Sequence, residues 1–309
     1  VTSRSRPRST RALIKVLLCV GLLLGASGAP AQAADVAPFR GLGTWVDVYD
    51  YGPKFQSGTA VPTVTPASVD DMARLGVKTL YLQAAQDDTR SEGTIVDRAR
   101  VGDFLRRAHD LGVKVVAWYL PHFADVRRDL RYVQALARFR AGGERFDGIA
   151  LDIEWTSDVK DPAARNAALL RLSKQARAAV GSMPLGAIVL EPVLIEDVNP
   201  QYWPAFPWRK LRPYYDVWLP MAYWTNRTQA SGWRSAARYT AENIRRVRAN
   251  LGDPEAAVHV IGGVADTASA ADYLGFVAAA RSRAAIGWSV YDYATTSTSA
   301  WPTLRGSRR

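Results

Sequence analysis

Short runs of apolar residues, rich in Val, Ile, Leu and aromatic side chains, recur along the chain at a steady interval. They span 42–48, 77–83, 113–120, 148–153, 185–190, 217–223, 257–263 and 285–291. None alternates cleanly between apolar and polar positions, which is the pattern of strands buried on both faces. Between them lie stretches with Ala, Leu and Arg at helical spacing, clearest at 67–74, 101–111, 130–141, 162–180, 235–251 and 269–281. Two of these run into Leu-Gly-Val, at Leu75-Gly76-Val77 and Leu111-Gly112-Val113, a helix-ending glycine followed by a strand. Strict alternation of strand and helix predicts a parallel sheet.

Eight such units predict an α/β fold of the (β/α)8 type, a TIM barrel, which takes about 250 residues. The alternative is an open doubly wound sheet. No Gly-x-Gly-x-x-Gly follows the first strand, which argues against its dinucleotide-binding form. The eighth strand is followed by too little chain for more than a short last helix. The stretch 192–216, rich in Pro, Trp and Tyr, reads as an elaborated loop.

The first 34 residues have another character. Arg4, Arg6, Arg8, Arg11 and Lys15 precede an apolar run at 16–25, and Ala31-Gln32-Ala33 fits a small-x-small cleavage rule. The run is shorter than the roughly 20 residues needed to span a bilayer. We therefore expect 1–34 to be a cleaved export signal and 35–309 to be one secreted or extracellular domain, with the bacterial cell surface as one address. No stable membrane insertion is expected after cleavage.

Export changes how the charge reads. The whole chain carries 40 Lys and Arg against 29 Asp and Glu, a net +11. Five of those cations and none of the acids lie in the leader, so the remainder carries +6. Its cations are spread over helical faces, as at Arg127-Arg128 and Arg245-Arg246, and no nucleic-acid partner is expected. The single cysteine, Cys19, lies in the leader. The histidines, His109, His122 and His259, are far apart, so no metal or organic cofactor is implied. We expect a monomer.

In such barrels the chemistry sits at the C-terminal ends of the strands. The fourth run reads Phe146-Asp147-Gly148-Ile149-Ala150-Leu151-Asp152-Ile153-Glu154-Trp155. Strand alternation points Asp152 and Glu154 to the same side, at the barrel mouth. Two carboxylates there are costly to bury without a role, and their proximity pushes their pKa values apart. One then holds a proton while the other stays ionised, as acid-catalysed glycosidic cleavage requires.

These residues resemble glycoside hydrolase family 18, the chitinase-like group, whose fourth strand reads Asp-Gly-x-Asp-x-Asp-x-Glu. Asp147, Gly148, Asp152 and Glu154 match it, and Ala150 stands where the family has an aspartate. The resemblance implies that Glu154 is the proton donor. Asp152 would orient the substrate's N-acetyl group, whose carbonyl oxygen is the nucleophile, and Asp147 would be structural. Met221-Ala222-Tyr223 resembles the family's Met-x-Tyr, whose tyrosine contacts the acetamido group. Trp288 is placed like the tryptophan that floors the sugar pocket. The implied reaction is hydrolysis, with retention, of a β-linked polysaccharide containing N-acetylhexosamine.

Leu151-Asp152-Ile153-Glu154 also resembles family 25, the muramidase-like group, which uses Asp-x-Glu without the middle acid. A third reading is a barrel that binds a polysaccharide or cell-wall glycan without turning it over. Asp47, Glu191 and Asp292 end the first, fifth and eighth strands and are further candidates, Glu191 as a second carboxylate in a two-carboxylate mechanism. The first strand's alternation places Trp45, Asp47 and Tyr49 on one side. Trp45, Trp118, Trp155, Trp218, Trp224 and Trp288 lie in or just after strands, with Trp203 and Trp208 in the long loop. Flat aromatic faces stack on pyranose rings, so these are candidate sugar platforms, as His122 is a candidate contact. The seventh strand ends Ile261-Gly262-Gly263-Val264 without the glutamate that many two-carboxylate barrel glycosidases carry there.

Overall fold

All eight expected strands form in the computed structural model, which describes residues 1–2 and 35–306. They are β1 (Gly41–Val46), β2 (Thr79–Gln83), β3 (Lys114–Tyr119), β4 (Gly148–Ile153), β5 (Leu185–Val189), β6 (Val217–Pro220), β7 (His259–Val264) and β8 (Gly287–Tyr291). The export-signal and cleavage-site expectations fall on residues outside those described, save the first two. Every ladder is parallel, in the order β6-β5-β4-β3-β2-β1-β8-β7. Bridges at Trp218↔Val258 and Met221↔Ile261 join β6 to β7, so the sheet closes into a (β/α)8 TIM barrel.

The helices are α1 (Val48–Tyr51), α2 (Ser68–Arg74), α3 (Arg98–Asp110), α4 (Val126–Arg138), α5 (Pro162–Val180), α6 (Trp208–Leu211), α7 (Ala236–Leu251), α8 (Ala270–Ser282) and α9 (Trp301–Leu304). Their starts are locally encoded. Asp97, Asp125, Asp161 and Ser235 each accept backbone N–H bonds at the N-caps of α3, α4, α5 and α7, and Ser269 and Asp272 form a capping box on α8. The stretch 192–216 is an elaborated loop, with a short wide turn at Leu194–Val198 and the single-turn α6. Among the described residues, no helix is long and apolar enough to cross a membrane.

The barrel interior is a packed core. At its N-terminal end Phe39 acts as a plug. A Cβ at Gly186 would lie 2.9 Å from the Phe39 ring, which only a shift of the plug could relieve, and one at Gly148 would press on the same ring at 3.1 Å. Above the plug, the Trp45 ring stacks on Tyr81 at 4.3 Å and meets Trp118 edge-on at 6.0 Å. A hydrogen-bond chain crosses this layer. Trp45 Nε1 donates to Ser289 Oγ (2.8 Å), Ser289 Oγ donates to His259 Nε2 (2.9 Å), and His259 Nδ1 donates to the Phe39 carbonyl (2.8 Å). The carbonyl can only accept, which fixes the imidazole tautomer. Burial holds the His259 pKa down at about 4, so the ring is neutral.

Candidate active site

The packed layer fixes which side of each strand faces inward. In register across β3 and β4, Ala150 lies beside the inward Trp118, so alternation turns Asp152 inward and Glu154 after it. Asp152 is 7% exposed and Glu154 is half-buried at the strand's C-terminal end. Burial raises both carboxyls above their ordinary range, Asp152 furthest because the Glu154 charge adds to its desolvation. Asp152 Oδ1 is buried without a hydrogen-bond partner. Ala150, where the resemblance places an acid, has no polar atom to offer it.

The end of β5 brings Glu191 to the same region. It is 2% exposed, and Tyr239 donates to its Oε1 at 2.9 Å, while Arg227 Nη2 stands 3.9 Å away. Burial pushes its pKa up to about 7, and the Glu154 charge contributes. Tyr223, past β6, lies among these acids. Burial raises its phenol first, followed by the charges of Glu154, Asp152, Glu191 and Asp292. Met221, two residues earlier, is buried and pairs with Ile261.

A second acidic group lies across the mouth. Asp47 N-caps α1, accepting from the backbone N–H of Tyr49 (2.7 Å) and Asp50 (3.2 Å), and Tyr291 O–H donates to its other oxygen. Asp292 accepts from Thr295 N (2.9 Å) and Oγ1 (3.0 Å). Oxygens of Asp47, Asp50 and Asp292 lie within 4.8 Å of one another, a spacing at which three carboxylates could hold a cation. Burial, then the charges of Asp47 and Asp292, push the Asp50 pKa up to about 7, which favours a protonated Asp50.

The tryptophan expectations need correction. Trp288 does not floor the mouth. Ser289 and Tyr291 take the inward positions of β8, so alternation turns Trp288 outward, where its Nε1 donates to the Leu304 carbonyl (2.8 Å) and Arg281 lies over its ring. Trp45 and Trp118 face inward but are 2% and 6% exposed and fill the core layer beneath the mouth. Trp203, Trp208, Trp218 and Trp224 are buried too. Trp155 alone of the expected platforms beside the acids is partly open, and His122 stacks on it at 4.5 Å. Tyr49 is not on the first strand, which ends at Val46. It is exposed on α1.

At the end of β7 a Cβ at Gly263 would lie 3.0 Å from Thr225 and Trp224. A side chain there would press on both, and Gly262-Gly263-Val264 supplies no carboxylate. Asp266, beyond it, is exposed. Asp147 lies at the opposite end of the barrel. It accepts from the Val115 backbone (2.8 Å) and Lys114 (3.0 Å), contacts His109 (2.8 Å), and lines a cavity of about 700 Å3 remote from Glu154.

No family model matches the chain, and no curated protein matches it. Solved structures do. The endo-1,4-beta-mannanase of Rhizomucor miehei aligns at a TM-score of 0.64 and 11% identity, covering 87% of this chain and 94% of that one. A family 18 chitinase from Cycas revoluta, solved with allosamidin, aligns at 0.58 and 15% identity, covering 85% and 98%. A chitinase from Chromobacterium violaceum aligns at 0.56 and 12%, covering 87% and 100%. At these identities the likeness shows the fold alone. Chitinases and a mannanase stand together among these neighbours, so the likeness singles out none of their families.

Proposed function

We propose that this chain is an exported, retaining glycoside hydrolase acting on a β-linked polysaccharide that contains N-acetylhexosamine. The observation that carries the reading is the inward pair on β4, with Asp152 Oδ1 buried and unpartnered beside a protonatable Glu154. Leaving a buried acceptor unmet costs about 1–3 kcal/mol. An acetamido N–H supplies the missing donor. Meeting it favours the ionised form of Asp152 and leaves the pair's proton on Glu154.

Glu154 then protonates the glycosidic oxygen as that bond breaks. The acetamido carbonyl oxygen attacks the anomeric carbon, with Asp152 accepting from its N–H and Tyr223 contacting the acetyl group. Water then opens the resulting ring from the face the leaving group departed and gives its proton to the Glu154 carboxylate, which restores the site with retention. The end of β7, Gly262-Gly263-Val264, carries no carboxylate, which supports substrate assistance over a nucleophile from that strand. Ala150 also fits a second reading, muramidase-like action on cell-wall glycan with the same pair.

Reducing-end release from β-1,4-linked N-acetylglucosamine oligomers and from peptidoglycan tests both. We expect wild type to cut one of them and Glu154→Gln to lose about 10²–10⁴-fold in kcat, the usual contribution of general acid catalysis. Glycan binding with no reducing ends released by wild type refutes catalysis and leaves a binding barrel.

A further inference from the structure

Among the described residues, all aromatic side chains but two are buried or half-buried. The exceptions are Tyr49, 52% exposed, and Tyr202, 39% exposed. Both lie on the mouth side, Tyr49 just after β1 and Tyr202 in the loop after β5. Four strand steps separate β1 from β5 in a closed barrel of eight, so the two segments leave the barrel at opposite rims.

The segment that carries each ring is held in place. At one rim Phe55 packs edge-on to Tyr49 at 5.8 Å, the Arg90 guanidinium lies 5.7 Å from its ring centre, and Gln56 Nε2 donates to the Tyr49 carbonyl at 2.6 Å. At the other, buried Arg165 bonds the carbonyls of Val159 and Tyr202 and lies 4.4 Å from the Trp203 ring, whose Nε1 donates to Asn166 Oδ1 at 2.7 Å. Trp203 thus anchors the loop to α5 and leaves its neighbour Tyr202 open to solvent. Tyr202 also lies within the field of Glu154 and Glu191, whose charges help to raise its phenol. Exposing two large rings on an otherwise buried aromatic set, with the backbone beneath each anchored, suits a surface that stacks on flat apolar ligand faces.

We infer that Tyr49 and Tyr202 are the outer sugar-stacking subsites of one cleft, so that a glycan chain lies across the mouth from the β1 rim to the β5 rim and is cut internally. Glu154 and Asp152 then act on a bond between the two platforms. The ligand class rests on the glycosidase reading, while the platforms themselves stand on the placement of the rings.

Calorimetric binding of β-1,4-linked N-acetylglucosamine oligomers, disaccharide to hexasaccharide, to the Glu154→Gln protein tests the inference separately from turnover. Affinity is expected to rise with length. Adding Tyr202→Ala or Tyr49→Ala weakens hexasaccharide binding about tenfold, the worth of one aromatic stack, and leaves disaccharide binding nearly unchanged. Tyr202→Phe, which keeps the ring, retains the affinity, as a merely structural hydroxyl would not. Equal hexasaccharide affinity with and without the Tyr202 ring overturns the platforms even if wild type cleaves the polymer. Ring-dependent binding with no cleavage by wild type keeps the platforms and removes the catalytic reading. Failure of every oligomer to bind overturns the platforms and the chitin-type substrate, and leaves the reading on cell-wall glycan to the peptidoglycan assay.

Discussion

Replacing Glu191 by glutamine removes one ionisable carboxyl and little else. The amide has the same outline, and its oxygen still accepts the Tyr239 O–H. In the folded protein the Glu191 pKa stands at about 7 against an ordinary 4.5, chiefly through burial. Between those values the native state holds a proton that the unfolded chain has released. Stability from this group is therefore present in full below pH 4.5 and is lost as pH rises through about 7. At 1.36 kcal/mol per pKa unit, that shift is worth about 3 kcal/mol. Exposure of 2% leaves almost no solvent screening to discount it.

Urea unfolding of wild type and Glu191→Gln, followed by tryptophan fluorescence at pH 5 and pH 8, reads the effect directly. Other titrating groups change in parallel in both proteins, so the double difference isolates Glu191 and its coupling to Glu154. The variant should exceed wild type by under about 1 kcal/mol at pH 5 and by roughly 3 kcal/mol at pH 8, where wild type buries an ionised carboxylate. Parallel pH curves would refute the reasoning and mean that Arg227, 3.9 Å away, compensates the ionised charge in full.

Two further predictions concern residues outside the acid pair. Ser289→Ala breaks the interior chain and leaves Trp45 Nε1 and His259 Nε2 without partners, at a cost of roughly 2–4 kcal/mol that thermal unfolding will show. Trp288→Phe removes the bond to the Leu304 carbonyl and lowers stability by about 1–3 kcal/mol, while kcat/KM on any glycan cleaved stays at the wild-type value. A large loss of kcat/KM without loss of stability would return Trp288 to the sugar pocket.

The fold was legible because a buried parallel strand leaves a mark that needs no partner to be read. All eight strands lie on the apolar runs, with ends within two or three residues, and glycines and capping acids punctuate the helices between them. The paired orientation of Asp152 and Glu154 was legible for the same reason, since alternation within one strand is local. Which face of a strand is inward is not local, and the tryptophans show why. Trp45 and Trp288 both looked like platforms, yet Ser289 joins Trp45 and His259 inside the barrel and so turns Trp288 out.

Exposure is harder still to read, because it depends on what the rest of the chain leaves uncovered. Tyr202 sits beside Trp203 in a loop rich in large rings, and sequence logic favours the larger indole as the sugar platform. The fold uses the indole as an anchor, bonded to Asn166 and covered by Arg165, and leaves the phenol outside. A tryptophan surplus in a barrel therefore identifies neither a binding face nor its residues. In this chain it marks the packing that holds two tyrosines at the rims of an acidic mouth, and the length dependence of glycan binding is where that distinction becomes measurable.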